Sequence, residues 1–388
     1  MSIYHISTLL LVVVLVVQDI LCFCEESHVI ICDDLADVKQ NETTPWHHVQ
    51  IGSLSDLTES PKHSLNSSVL FDLHRTKSLT IINQIRLIQK IYRIAHISYL
   101  KYLNLYRNNI LEITDAAFSE ISSLREVYLK NNNIQHLGRG IFENLTLDII
   151  DLSWNHIHSV TTGFYNTKIK WLLLNHNEIN FIGYEPFPSS LQQLELSNNQ
   201  LESLDKHAFQ NLQKLKELYL NHNRLTTVPD IATLKQIQYL HFAHNKIEEV
   251  HFRFDKFRKL SFVDLSFNII KNVTSDVFAS NDTPAIVVLS FNRLTNMVFE
   301  HPEKRTDLGL LGNPWNCNCW SKIENILGNY NHDNTCEFNS IFNKGTVPFC
   351  IESGECGGSR VISESEIDNF LDAISICEDK IKICNFRL

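Results

Sequence analysis

The chain has 388 residues, 44% of them apolar and 20% charged, with a formal net charge of −10. That is ample material for a core and excludes a chain disordered throughout. The negative charge is spread along the length rather than gathered in blocks, which argues against nucleic acid or an anionic membrane surface as the main partner.

Residues 1–24, MSIYHISTLLLVVVLVVQDILCFC, hold an apolar run from Leu9 to Val17 followed by small residues at Cys22 and Cys24. The run falls short of the ~20 residues a membrane span needs, so it reads as a secretory signal peptide cut after Cys24. No later stretch approaches that length and the chain ends in the polar CNFRL, so the mature protein is expected to be secreted, with no membrane span and no lipid anchor. Cysteine usage agrees. Of the ten cysteines, Cys22 and Cys24 leave with the leader, Cys32 stands alone, and seven lie between Cys317 and Cys384. Eight then remain, the even number an oxidised framework prefers. Asn-x-Ser/Thr sequons at Asn41, Asn66, Asn144, Asn272 and Asn281 fit passage through a glycosylating pathway.

Residues 25–77 are polar, with HVIICDDLADV and HHVQIGSL as two short strands separated by the turn-rich KQNETTPW. They read as an amino-terminal cap over the apolar end of the array that follows. Between Ser78 and Tyr99 the apolar rhythm of that array begins, with Leu79 and Ile81 one period before Leu103 and Leu105 but without an asparagine. This is a degenerate opening unit.

The array occupies residues 78–315. LREVYLKNNNI, Leu124 to Ile134, has the pattern LxxLxLxxNxL, which returns with its first position at Leu100, Leu124, Leu147, Ile169, Leu191, Leu215, Ile237, Leu260, Pro284 and Arg305. Successive spacings are 24, 23, 22, 22, 24, 22, 23, 24 and 21. Alternating apolar positions within each unit describe a short strand with one buried face. Strands repeated at this period build an α/β leucine-rich-repeat solenoid, a horseshoe with a parallel concave β-sheet, here of about ten to eleven repeats capped at both ends.

Two ladders run through the units. Asparagines at 108, 132, 155, 177, 199, 223, 245, 268, 292 and 313 fall just after each strand, where the backbone turns and a buried amide can satisfy both N–H and C=O groups. About ten residues further on come Phe118, Phe142, Phe164, Phe187, Phe209 and Phe278, with Phe254 the nearest aromatic in its unit, as a packed spine under the convex side. Both ladders are read as structural.

Binding is expected on the solvent-facing strand positions, because strands ~4.8 Å apart give ten units a surface roughly 45–50 Å along its arc, enough for a protein ligand. These positions are rich in aromatics: Tyr102, Tyr106, Tyr128, Trp154, Trp171, Tyr219, Tyr239, Phe262, Phe267 and Phe291. Aromatic anchors within a polar rim are what protein interfaces concentrate. His176, His222, His241 and His244 map to the same face, with His222 beside His244 one strand away. Imidazoles within reach of one another suit zinc or a pH-dependent switch, but NHN is also an ordinary solvated filling of the turn, and that is the reading adopted, with no metal and no cofactor. Asp151 and Asp264 sit in DLS, a common filling of the repeat, and no HExxH, GxSxG or phosphate-loop string occurs, so no enzyme is expected.

The array closes at LGLLGNPWNCNCW. NPW followed by Cys317, Cys319, Cys336 and Cys350 resembles the carboxy-terminal cysteine cap of extracellular leucine-rich-repeat proteins, here residues 316–352. That resemblance, which covers residues 79–350, implies the pairs Cys317–Cys336 and Cys319–Cys350. Residues 353–388 form a GECGGS joint and then SESEIDNFLDAISICEDKIKIC, with a serine cap, early acids and Ile367, Phe370, Leu371, Ile374, Cys377, Ile381 and Cys384 on one face of a helix. Its cysteines are candidates to pair with Cys356 or Cys32 as the helix docks within the chain, or to link a second chain as a disulfide-bonded dimer.

The single-cysteine amino cap, the cysteine-bearing tail and the lack of an anchor make the chain similar to secreted arthropod leucine-rich-repeat proteins, including the mosquito leucine-rich immune proteins, although it lacks their adjacent cysteine pair and long coiled coil. The resemblance implies a secreted binding protein of innate immunity. The alternative is a matrix or cell-surface adhesion protein.

Overall fold

Most repeats place one aliphatic residue between two that face away from the core, and that triplet is where the backbone becomes a strand. The structure is a computed structural model. It describes the strand backbones 13–14, 22–25, 29–32 and 48–52 and residues 75–82, 89–250, 257–273, 286–295, 307–310, 312–315 and 363–375. Two compact units result, one of residues 1–200 with 204–214 and one of residues 201–203 with 215–388.

In the first unit, strands Ser78–Ile82, Tyr102–Asn104, Glu126–Tyr128, Thr146–Asp151, Lys168–Leu173 and Gln193–Glu195 pair in parallel in chain order. The register joins Leu79, Leu103, Val127, Ile150, Leu172 and Leu194 in one row, all fully buried, so the spacing read from the sequence is the spacing of the sheet. The opening unit lacks its asparagine yet pairs like the others, because Leu79 and Ile81 supply the same buried face. Both strands expected in the amino-terminal segment are present, Val29–Cys32 and His48–Gly52, parallel to each other and to Ser78–Ile82. Cys22–Glu25 adds antiparallel to Val29–Cys32 and Val13–Val14 antiparallel to Cys22–Glu25, so a strand spans the place where the leader is expected to be cut. In the second unit, Glu217–Tyr219, Tyr239–His241, Phe262–Asp264, Ile286–Val288 and Asp307–Gly309 are likewise parallel, with Leu218, Leu240, Val263, Val287 and Leu308 in register.

The asparagine ladder works as a two-sided clamp. Asn132 Nδ2 donates to the carbonyls of Leu105 and Leu129 at 2.8 and 2.9 Å, and its Oδ1 accepts from the Ile110 N–H at 3.0 Å. The same pattern recurs at Asn155, Asn177 and Asn199, and in the second unit at Asn245, Asn268, Asn292 and Asn313. One side chain per repeat thus pairs backbone groups that the turn would leave buried and unmet. Asn108 begins the ladder by donating to Ile81 of the opening unit at 2.6 Å.

The aromatic spine forms as expected where it is described. Phe118 and Phe142 stack at 5.4 Å between ring centres, Phe142 and Phe164 at 6.4 Å, and Phe187 and Phe209 at 6.3 Å. In the next repeat the corresponding place is held by Ile231, which is also buried. Phe254 and Phe278 lie outside the described residues. The connections between strands are turns and two-residue strands, with Lys90–Ile91, Glu112–Ile113 and His136–Leu137 forming a second small parallel sheet. At the carboxy end Trp315 is buried and its indole Nε1 donates to the Leu310 carbonyl at 3.2 Å.

The tail helix, Glu364–Ser375, starts at a capping box in which the Ser363 N–H donates to Glu366 Oε2 and the Glu366 N–H to Ser363 Oγ. It docks within the second unit on the flank of the repeats. Glu364 meets Lys271 at 2.6 Å and Arg293 at 2.9 Å, Arg293 also meets Asp368 at 3.1 Å, and Ile367 and Phe370 are buried. Docking inside the chain is therefore how the described helix covers these two residues; Cys377 and Cys384 lie outside the described residues.

Candidate functional site

The open face of each sheet presents two columns. In the first unit one column is Tyr102, Glu126, Ile149, Trp171 and Gln193, and the other is Asn104, Tyr128, Asp151, Leu173 and Glu195. In the second unit they are Glu217, Tyr239, Phe262 and Ile286, then Tyr219, His241, Asp264, Val288 and Gly309. Tyr102, Tyr128, Trp171, Tyr219 and Tyr239 therefore stand on the sheet face, as expected. Trp171 is 48% exposed and the tyrosines are half-buried. Phe262 occupies a face position but is buried, with His241 against its ring at 5.1 Å, so it is a floor and not an exposed anchor.

Trp154, Phe267 and Phe291, and with them His176, His222 and His244, are not on the strands. They occupy the turn residue just before each ladder asparagine, at φ between 53° and 57°. Alternation fails there because most strands last three residues, and the left-handed turn that follows swings the next side chain outward along the rim. Arg107, Asn131 and Asn198 take the same conformation in the first unit, and Gly312 takes it in the second.

The rim side chains stack. Trp154 lies on His176 at 3.9 Å, and in the second unit His222, His244, Phe267 and Phe291 form a continuous column with ring centres 4.2, 4.2 and 4.4 Å apart. The adjacency of His222 and His244 read from the sequence is thus real. Gly312 ends the column: a Cβ there would come within 2.5 Å of the Phe291 ring, so glycine is required by close approach as well as by its φ of 70°. Burial lowers the pKa of His222 and His241, and burial with His222 alongside takes His244 down to about 4, so these rings are uncharged at neutral pH. Among the described residues no group of three or more His, Cys, Asp or Glu is placed to hold a metal ion.

A left-handed backbone costs an L-residue other than glycine, asparagine or aspartate roughly 1–2 kcal/mol, while a stacked ring pair returns about 0.5–1.5 kcal/mol. Trp154, 50% exposed, has a single stacking partner among the described residues. Trp154→Asn is therefore expected to leave stability within about 1 kcal/mol of the parent in urea titrations. A larger loss would show that the rim rings clasp the fold.

Hydrogen bonds fix the tyrosines on the face. The Tyr128 hydroxyl donates to Glu126 Oε2 and the Tyr219 hydroxyl to Glu217 Oε2, each at 3.0 Å, and Tyr102 leans on Tyr128 at 5.3 Å. Burial and the Glu126 carboxylate push the Tyr128 hydroxyl pKa up. Burial raises that of Glu195 against the hydrogen bonds from Ser197. These carboxylate–hydroxyl pairs were readable as an ExY spacing in two strands, yet only the period-two register shows that both members face solvent. The helix seat at Lys271 and Arg293 had no sequence signal beyond the acids of the helix's first turn.

Of the sequons, Asn144 and Asn272 are described and exposed, and Asn144 Oδ1 accepts from Asn166 Nδ2 at 2.6 Å. Asn41, Asn66 and Asn281 lie outside the described residues, as do Cys317, Cys319, Cys336, Cys350 and Cys356, while Cys32 is described only as strand backbone.

Parallel strands at this pitch, tied by an asparagine clamp, define a leucine-rich-repeat solenoid. The family described as "Leucine rich repeat" matches residues 98–157, 167–225 and 189–247. Among curated proteins the chain is similar to mouse podocan, 31% identical over 204 residues, 44% of this chain and 33% of podocan. It is also similar to human lumican, 26% identical over 262 residues, 61% of this chain and 71% of lumican, and to human Toll-like receptor 2, 30% identical over 188 residues, 46% of this chain and 23% of the receptor. The matched part is thus about a third of podocan's length. Among solved structures, the leucine-rich repeat domain of APL1B superposes with a TM-score of 0.59 at 17% identity, covering 77% of this chain and 87% of that one, a likeness of fold. Lumican, podocan and the Toll-like receptors are non-enzymatic binding proteins, and lumican and podocan are proteins of the extracellular matrix. Among the described residues no helix is long and apolar enough to cross a membrane.

Proposed function

We propose that this chain is a secreted, non-enzymatic protein-binding protein that takes an extracellular protein ligand on the open face of its sheets, in innate immune recognition or plasma complex formation. The observation that carries the reading is two sets of aromatic side chains held at solvent-facing register positions, Tyr128 and Trp171 on the ladder of the first unit and Tyr219 and Tyr239 on that of the second. Rigid amphipathic rings on a fixed backbone lose little entropy on binding, and such residues dominate protein interfaces. The fold has its apolar rows on the other side of the strands, so these rings are not needed for the core. The similarity to Toll-like receptor 2 agrees with the immune setting. A matrix-binding role is the second reading, supported by the match to lumican, which runs over 71% of that protein.

The test is affinity capture from native body fluid with the parent chain and with Trp171→Ala/Tyr219→Ala. The double variant is expected to stay folded by circular dichroism and to lose the captured protein. Equal capture by both chains would remove the sheet face as the binding site. Recovery of the partner from circulating fluid supports the immune setting, and recovery only from matrix extracts supports the second.

A further inference from the structure

The second unit carries its charges in separate places. Four of its five described strands, Glu217–Tyr219, Tyr239–His241, Phe262–Asp264 and Ile286–Val288, contain two carboxylates and no lysine or arginine. Two of its cations, Lys271 and Arg293, lie on the flank and are engaged by Glu364 and Asp368 of the tail helix. Lys216, one residue before the first of these strands, lies outside the face columns.

The two carboxylates stand beside rings. Glu217 is hydrogen-bonded through Oε2 to the Tyr219 hydroxyl, and Tyr219 stacks on His241 at 4.5 Å. Asp264 stands beside His241 in the same column, and Ser266 uses only its Oδ1, through N–H and Oγ at 3.0 and 2.6 Å. Glu217 and Asp264 belong to strands two steps apart, about 10 Å at the usual strand spacing. Burial lowers the pKa of His241, on the strand between them, against the opposing pull of Asp264 and Glu217. Carboxylates next to half-buried rings, on a surface where Coulomb attraction exceeds its value in water, are what a guanidinium or ammonium group binds, by fork-like hydrogen bonds to the acid and by contact with the ring.

We propose that the open face of the second unit, between Glu217 and Asp264, docks a polypeptide segment that presents arginine or lysine side chains. This rests on the protein-binding reading above and adds the chemical class of the partner. An anionic or purely apolar segment would leave Glu217 and Asp264 desolvated and unpaired, which disfavours it by more than the ring contacts restore.

The probe is a short fluorescent arginine–serine peptide, with its glutamate–serine counterpart as control, titrated into the full chain at about 0.15 M salt, where distant surface charges are screened. The parent is expected to bind the arginine peptide and not the glutamate one. Glu217→Gln/Asp264→Asn keeps acceptor oxygens for Tyr219 and Ser266 and is expected to weaken binding about tenfold. Glu248→Gln/Glu249→Gln makes the same change of net charge at exposed positions off the sheet face and is expected to leave affinity within about twofold. Equal weakening by both pairs, or no discrimination between peptides, overturns the proposal. Capture of the natural partner separates it from the broader reading. A partner lost with Trp171→Ala/Tyr219→Ala but retained by Glu217→Gln/Asp264→Asn leaves the binding face standing and removes the cationic partner.

Discussion

Phe142→Ala is expected to lower unfolding free energy by about 3–5 kcal/mol, the range for deleting a buried aromatic ring. Phe142 is fully buried and stacks on Phe118 on one side and Phe164 on the other, so a single truncation opens a gap shared by three successive repeats. In a repeat array, stability is the sum of unit terms and nearest-neighbour terms, and no distant contact compensates for a broken interface. Urea titration is expected to show the loss as a lower midpoint. Native-state hydrogen exchange is expected to place the loosening in the repeats of Phe118, Phe142 and Phe164, with Leu240 and Val263 in the other unit unaffected. A loss below about 1 kcal/mol would mean that the ring column is not what holds these repeats together.

That column was legible in the sequence because burial imposes period. Leu124, Val127 and Leu129 are buried and so are their equivalents in each repeat whose burial is described, and a spacing of 21 to 24 residues is fixed once the strands must pair in register. Asn132 was legible for a different reason: polar residues at a fixed place in an apolar rhythm announce backbone groups that need partners. The site was less legible. Trp154 and Phe267 obey the same spacing as Tyr128, but a left-handed turn intervenes, and a linear pattern carries no sign of a reversed φ in an aromatic residue. Phe262 reads as an exposed anchor by alternation and is buried because His241 leans over it, a contact between neighbouring repeats that spacing alone does not reveal. The tail helix was recognisable from its Ser363 cap and its apolar face. Its seat depends on Lys271 and Arg293, more than seventy residues upstream, so only the folded chain brings those charges together.

Asn199→Ala is expected to cost about 1–3 kcal/mol, by stranding buried backbone groups. Asn199 Nδ2 donates to the carbonyls of Leu174 and Leu196 at 3.0 Å and of Ser197 at 3.2 Å, and its Oδ1 accepts from the Ile179 N–H at 3.0 Å. Alanine offers neither function, and water has little access, since the residue is 8% exposed. Asn199→Asp separates the two halves of the clamp. A carboxylate still accepts from Ile179 but faces three carbonyl oxygens that it cannot donate to, so it is expected to be at least as damaging as alanine at neutral pH. Amide exchange supplies the local readout. In Asn199→Ala the Ile179 N–H is expected to lose protection beyond the global change, whereas in Asn199→Asp it keeps its acceptor. Equal behaviour of Ile179 in the two variants would show that the amide oxygen of Asn199 is not what holds that turn. The ladder would then act through its donors alone.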